Sequence, residues 1–417
     1  MRSGPMKVII AGAGIGGLAA ALSLHKQGIA CEIYEKVPEL LQLGVGLTLL
    51  PHAMTELDAL GLVPALDRVA VRTEHLYYRT RHGQNVWDEP RGLKAGYKVP
   101  QFSIHRADLQ QVLLNAIRER LPAGALTLDA AFEDVTEHQD GIVARFRKAD
   151  GSSLEVDGDI LIGADGIHSA VRSKFVQDEG KPRWSGLMLW RGSVDWPRFM
   201  DGRSIIISGG TDCKFILYPI GPGKTPATQL MNWAAVIRQA APGGLPPARE
   251  EWNREARHED LRALLSRFTV PEADIAAMVA ATPMFWEFPM CDRDPLPRWS
   301  FGRVSLLGDA AHAMYPFGAN GAAQAILDGR ALADVLGAGA TGAEAMQLYQ
   351  AERLPKANDV VARNRNGGPE RVIDEVEARA PDPFADIDAV LPRADRETIV
   401  RGYSRLAGFA AEQLERT

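Results

Sequence analysis

The sequence predicts an α/β protein built from a doubly wound parallel-sheet domain, an inserted β-sheet layer and a helical C-terminal segment. Three observations carry that expectation. Residues Lys7 to Glu35 read as one βαβ unit, residues Gly186 to about Val236 are crowded with short strands, and the tail beyond Arg353 is helical and charged in pattern.

Lys7-Val8-Ile9-Ile10-Ala11 is a continuous apolar run, the pattern of a strand buried on both faces of a parallel sheet. Ile15 to Gln27 carries apolar residues at helical spacing, and Gly28 is placed to cap that helix. Ala30 to Tyr34 supplies the second strand. A mixed region follows from about Val71 to Pro100, with a short β-type run at His75 to Tyr78. Ala107 to Arg120 is an amphipathic helix, and Gly141 to Phe146 and Leu154 to Leu161 read as strands. The segments Gly186–Val194, Ser204–Ile207, Phe215–Tyr218 and Leu230–Ile237 suggest a separate, mostly antiparallel sheet, with the loop-like Ala240 to Pro247 at its edge. Arg303 to Leu307 is another buried strand, helices follow it, and Pro381 and Pro383 interrupt the tail.

Composition excludes several classes. The chain has 417 residues, a formal net charge of −6, 46% hydrophobic and 24% charged residues, which suits a globular protein of two or three domains. The acidic balance gives no case for a nucleic-acid partner. No apolar run reaches the ~18 residues of a membrane span. Cys31, Cys213 and Cys291 lie far apart without a CxxC spacing, so reduced thiols and a cytoplasmic location are expected. Residues 1–5 form an extension ahead of Met6 and carry no part of the reading; no signal peptide is recognised.

The first chemical motif is Gly12-Ala13-Gly14-Ile15-Gly16-Gly17, a G-x-G-x-x-G between strand and helix. Glycines allow the tight turn and the close approach of a pyrophosphate. The helix N-terminus offers free N–H groups and a partial positive charge. Glu35 lies about 20 residues on, where a carboxylate accepts hydrogen bonds from ribose hydroxyls. Strand, glycines, helix and acid together indicate a Rossmann-like dinucleotide site. They do not separate FAD from NAD. Two later blocks do: Asp159 to Arg172 reads DILIGADGIHSAVR, and Gly302 to His312 reads GRVSLLGDAAH.

With GxGxxG, DG and GD motifs in this order, the chain resembles the single-component FAD-dependent aromatic hydroxylases, the group of para-hydroxybenzoate and salicylate hydroxylases. Further stretches resemble the phenazine monooxygenase branch that serves pyocyanin synthesis. They are Ser103-Ile104-His105-Arg106, Gly163 to Arg172, Met188 to Gly192, Asp292 to Pro297, Gly318 to Gly321 and Gln324 to Gly329. One departure stands out: the common family pattern Pro-x-x-Gly-Gln-Gly is here Pro316-Phe317-Gly318-Ala319-Asn320-Gly321.

The resemblance implies the aromatic hydroxylase fold. Its FAD-binding domain would be assembled from residues 6–70, 101–182 and 283–345, its substrate domain from 71–100 and 183–282, with a helical segment at 346–417. It implies FAD contacts at Gly12, Gly14, Ile15, Gly17, Glu35, Lys36, Val45 and Gly46. Arg106 would reach ribityl or phosphate oxygens, and Asp309 the ribityl hydroxyls. Asp165 and Gly166 would lie where flavin meets nicotinamide. Pro316, Gly318, Ala319, Asn320 and Gly321 would open a helix running to about Val335, aimed at the flavin N1–C2=O edge. NADH or NADPH would bind transiently, since no second GxGxxG exists. Reduced FAD would react with O2 to give a C4a-hydroperoxide that hydroxylates an aromatic or N-heteroaromatic ring, such as a phenazine carboxylate with loss of its carboxyl group.

Each position also has a plainer reading. Asp165-Gly166 makes an ordinary turn, Asp309 an N-cap, and Arg106 a surface ion pair. His312 and His105 read as structural, His312 sitting in an Ala-rich turn without a partner acid in view. On the substrate side, Trp190, Arg191, Tyr218, Tyr315 and Phe317 are candidates: aromatics sandwich a flat ring, and Arg191 holds a carboxylate. The aromatics fit core packing equally well. His52 and Met54 are weaker candidates. No catalytic acid, nucleophile or metal ligand set is expected, because the flavin carries the chemistry. A P-loop, an HExxH pattern, a GxSxG elbow and zinc spacing are all missing. The partners expected are the aromatic substrate and O2, for a monomer or homodimer. Two alternatives remain: a non-catalytic FAD-binding redox sensor or interaction protein, and a dehydrogenase holding NAD in the GxGxxG site.

Overall fold

A computed structural model describes residues 6–40, 45–244, 246–247 and 254–414. Its first layer is a six-stranded sheet in the order Ser300–Phe301, Val304–Leu306, Ile160–Gly163, Lys7–Ala11, Ala30–Tyr34 and Leu126–Thr127. All neighbours pair in parallel except the Ser300–Phe301 edge. Val8, Ile9 and Ile10 have no exposed surface, because helices cover both faces. The helices Ile15–Lys26 and Gly321–Gly337 cross where Gly329 meets Ala20; a Cβ on Gly329 would lie 2.8 Å from the Ala20 Cα. Small residues at that crossing let the two N-termini approach each other. The expected strand Leu154–Leu161 is two strands, Ser153–Gly158 and Ile160–Gly163. The first belongs to a three-stranded antiparallel sheet with Ala131–His138 and Gly141–Arg147.

The second layer is a seven-stranded sheet in the order Phe285–Asp292, Arg183–Pro197, Thr228–Arg238, Cys213–Pro222, Ser204–Ser208, His75–Arg79 and Asn85–Pro90. Phe285–Asp292 pairs antiparallel with Arg183–Pro197 as an edge strand, so this layer runs past the expected limit at 282. The reason is local: Trp286, Phe288 and Met290 alternate in a run that reads as strand only when its partner is known. One face of the sheet packs under the helices His258–Leu265 and Ile275–Ala280 through Trp190, Phe215, Trp233, Leu261 and Met278. Part of the other face packs against C-terminal helices through Tyr78, Ile205, Ile207, Val372, Val376 and Val400. The rest of that face looks toward the parallel-sheet layer. Among the described residues, no helix is long and apolar enough to cross a membrane.

Candidate active site

The strand Lys7–Ala11 ends at Gly12, whose φ of +112° only glycine adopts without strain. A Cβ there would sit 2.3 Å from the Ala164 carbonyl oxygen, and one on Gly17 would sit 2.0 Å from the Gly12 carbonyl oxygen. The turn is therefore packed too tightly for any side chain, and it holds the start of the helix Ile15–Lys26 against the end of the strand Ile160–Gly163. Gly14 differs, since its Cβ position meets no atom within 4 Å and faces a cavity of about 830 Å³. Gly166 and Gly321 line the same cavity with the same open space. Three glycines from three distant parts of the chain thus leave a cradle without side chains, as a bound dinucleotide requires.

The cavity also takes in Ile15, Val45, Gly46, Arg106, Asp309, Pro316, Phe317, Gly318 and Ala319. Burial pushes the Arg106 guanidinium below its ordinary range, and the Asp309 carboxylate opposes that. Arg106 is therefore drawn into the cavity and not left on the surface, and Asp309, exposed on the cavity side at the first turn of its helix, is no N-cap; Gly308 holds that place. Glu35 accepts the Ala13 N–H at 2.8 Å and the Val37 N–H at 3.1 Å, which fixes its carboxylate beside the glycine turn. Lys36 is exposed and lies off the cavity wall.

Asp165 turns out differently from the cofactor contact expected of it. Its carboxylate accepts from the Ser169 hydroxyl, and from the N–H groups of Ala170 at 2.7 Å and Val171 at 3.1 Å. It caps the short helix Ala170–Phe175, and Ala164, Gly166 and Ile167 form the cavity wall instead. Arg172, from the same helix, is buried and donates to the Ala310 and Ala311 carbonyls, both at 3.0 Å. The DG block is thereby bolted to the GD block. Asp328 provides a second bolt. It accepts from the Gly308 N–H at 3.0 Å, His312 at 2.6 Å and Arg353 at 2.7 Å. Burial raises the Asp328 carboxyl, but His312 and Arg353 outweigh that and hold it down at about 2. The acid partner of His312 comes sixteen residues later, one helix away, which a local search for a neighbour misses.

The loop Pro316–Gly321 bends sharply: φ is +69° at Gly318 and +55° at Ala319. Gly318 packs on Tyr403, whose hydroxyl would lie 2.5 Å from an added Cβ. Asn320 is fully buried and points away from the cavity. Its amide donates to the Tyr403 hydroxyl at 2.9 Å, and its carbonyl faces His52 at 3.2 Å. Asn320 and His52 thus hold the loop from behind. Met54 is fully buried in the core and contributes nothing to the cavity.

On the sheet side, alternation decides which residues face the cavity. Leu189, Arg191, Ile216, Tyr218, Asn232, Ala234, Val236 and Phe288 line it. Trp190 points to the opposite face, where its indole N–H donates to Glu287 at 2.9 Å. Tyr315 packs with Leu187, Met290 and Phe317 and is not part of the wall. Two of the five substrate-side expectations, Trp190 and Tyr315, therefore belong to packing. Arg191 donates to the Gly46 carbonyl, while Gly46 donates to Asn232 at 2.8 Å. Burial lowers the Arg191 guanidinium, and Tyr218 beside it works against that; burial also raises the Tyr218 phenol. The result is a largely apolar floor in which Arg191, Tyr218 and Asn232 are the polar side chains presented by the sheet. Asn232 had a signal in the sequence, as a polar residue inside the apolar run Leu230 to Ile237.

Comparison with known proteins decides the identity of the cradle, because residues 5–364 match the family described as FAD binding domain. The chain belongs to that FAD-binding family. It is 39% identical over 382 residues to the phenazine 1,6-dicarboxylic acid hydroxylase PhzS of Lysobacter antibioticus, covering 90% of this chain and 92% of that one. The 3-hydroxybenzoate 6-hydroxylase 1 of Aquipseudomonas alcaligenes is 31% identical, with 86% and 87% covered. The fold is shared with a salicylate hydroxylase substrate complex at TM-score 0.72 and 24% identity, over 97% of this chain and 98% of that one. HpxO of Klebsiella pneumoniae, solved with FAD and uric acid, aligns at TM-score 0.72 and 24% identity over 99% and 95%. The chain is an FAD-dependent aromatic monooxygenase.

Proposed function

We propose that this flavoprotein hydroxylates a flat N-heteroaromatic carboxylate, of which phenazine carboxylates are the model, and replaces the carboxyl group with a hydroxyl. NAD(P)H supplies two electrons and O2 supplies the oxygen. The balance is carboxylate, NAD(P)H, O2 and two protons giving the hydroxylated ring, CO2, NAD(P)⁺ and water. Bound FAD would supply the redox chemistry, two-electron reduction by NAD(P)H and oxygen transfer to an electron-rich ring carbon. The observation that carries this reading is the continuity of one cavity, about 830 Å³, from the glycine cradle to a largely apolar sheet face from which Arg191 is directed inward. The likeness to a phenazine dicarboxylic acid hydroxylase supports the same substrate class.

The chain's own residues then have separate tasks. Leu189, Ile216, Val236 and Phe288 stack against the ring and exclude water. Arg191 pairs with a ring carboxylate; its bond to Gly46 holds it at the junction of the two layers. Tyr218 donates to the same group or to the hydroxyl being formed. Arg106, Asp309 and the glycine turn hold the cofactor's phosphate and ribityl portion. The N-terminus of the helix Gly321–Gly337 stabilises negative charge on the reduced flavin edge.

The test is anaerobic bleaching of the bound flavin by NADH and NADPH, followed by aerobic turnover with phenazine-1-carboxylate, phenazine-1,6-dicarboxylate and 3-hydroxybenzoate. The expected result is oxidation stimulated by the phenazines, with CO2 and a hydroxyphenazine formed together. Stimulation by 3-hydroxybenzoate alone would move the substrate to simple phenols. A flavin that neither nucleotide bleaches, with or without a ring compound, would favour a non-catalytic FAD-binding redox sensor.

A further inference from the structure

We propose that the buried ion pair Lys214–Glu370 is a positioning device for the flavin loop Pro316–Gly321, setting both its hold on FAD and the reduction potential. The inference rests on FAD binding and on the loop facing the flavin; the phenazine substrate is not needed for it. Lys214 and Glu370 are 156 residues apart and both are buried. They pair directly. Each also touches the loop: the Lys214 ammonium sits 4.3 Å from the centre of the Phe317 ring, and Glu370 accepts the Gly318 N–H at 3.2 Å. Phe317, Gly318 and Glu370 all line the cavity.

A buried ion pair is a poor choice for stability alone, since desolvating two charges offsets most of their attraction. Its placement has a use here. The loop contains two residues at positive φ, Gly318 and Ala319; glycine adopts that conformation freely, while at Ala319 it persists only where neighbours over-determine it. Glu370 fixes one of those two through its N–H, and Lys214 fixes the preceding ring. Lys214 also shares a strand face with Ile216 and Tyr218, the cavity-lining residues two and four positions on. The substrate sheet and the C-terminal segment are therefore tied to the flavin loop by one pair of charges. Paired, those charges nearly cancel at the flavin. Unpaired, either one would act through a medium of low dielectric on a cofactor that gains negative charge when reduced.

Reduction potentials of the FAD-loaded protein test this without substrate or nicotinamide. Glu370→Gln retains an acceptor for the Gly318 N–H and leaves the lysine cation unbalanced, so the potential should rise. Lys214→Met leaves the carboxylate unbalanced, so it should fall. Shifts of opposite sign are the expected result. A pair that served folding alone would lower thermal stability in both variants and leave the potential unmoved or shifted in one direction, and that outcome overturns the proposal. Where either single variant fails to fold, the double variant Lys214→Met/Glu370→Gln decides, since removing both charges is tolerated far better than removing one. Its FAD dissociation constant, read by fluorescence quenching, should rise about tenfold through loss of the ring–cation contact that holds Phe317. An unchanged constant would overturn the proposal, whatever substrate the enzyme takes.

Discussion

The two walls of the cavity are made by different means. The cofactor wall is backbone: Gly12 and Gly17 leave no room for a Cβ, and Gly14, Gly166 and Gly321 leave open space where one would point. The substrate wall is side chains, presented every second residue by strands of the seven-stranded sheet, with Leu189 and Arg191 inward and Trp190 outward. Backbone sites tolerate almost no substitution because the steric limit is set by main-chain atoms. Side-chain walls can change residue by residue while the sheet stays intact. One fold can thus keep a single cofactor and take many rings.

The sharpest way to break that contrast is Gly12→Ala. The added Cβ would lie 2.3 Å from the Ala164 carbonyl at a φ of +112°. A cost of about 3 kcal/mol or more is expected, seen as protein purified without flavin absorbance and with a lowered melting temperature.

Behind the loop Pro316–Gly321 lies His52, where burial depresses the imidazole pKa to about 3, helped by Arg353 and opposed by Asn320. Between about pH 6.5 and 3 the unfolded chain binds a proton that the folded chain does not. Stability should therefore fall as pH drops through that window, by at most about 1.4 kcal/mol per unit from this residue. Urea titrations at several pH values should show a shallower slope in His52→Gln, and an unchanged slope would assign the acid sensitivity elsewhere.

A smaller and more local effect is expected on the substrate wall. Arg191→Met should lower kcat/KM for a carboxylated ring by roughly 2–3 kcal/mol of binding energy, while FAD content stays at the wild-type level. Loss of FAD instead would place Arg191 in the cofactor wall. The adjacent change, Trp190→Phe, should leave kcat/KM within about twofold and cost the indole bond to Glu287 and the packing of the larger ring, roughly 1–3 kcal/mol of stability. Equal kinetic damage from the two neighbours would show that the division between inward and outward faces does not hold.

By itself, the sequence determined the cofactor half. Gly12 to Gly17, Glu35, the DG block and the GD block are contiguous words whose geometry is imposed by short-range sterics and by the partial charge of helix ends, so their spacing is legible without a fold. Arg106, Asp309 and the loop Pro316–Gly321 came instead from the family resemblance, and the cavity wall takes in Arg106, Asp309, Pro316, Gly318, Ala319 and Gly321. The facing of Trp190 and Tyr315 was decided only by tertiary structure, because one residue of register in a strand exchanges core and cavity. So were the role of Asp165 as a helix cap, the acid partner of His312 at Asp328, and the extension of the sheet to Asp292. Lys214, Glu370 and Tyr403 carried no signal in the sequence at all. They meet at the flavin loop from a strand, a turn and the penultimate helix, and a contact between parts so distant in the chain exists only once the two layers and the C-terminal segment have packed together.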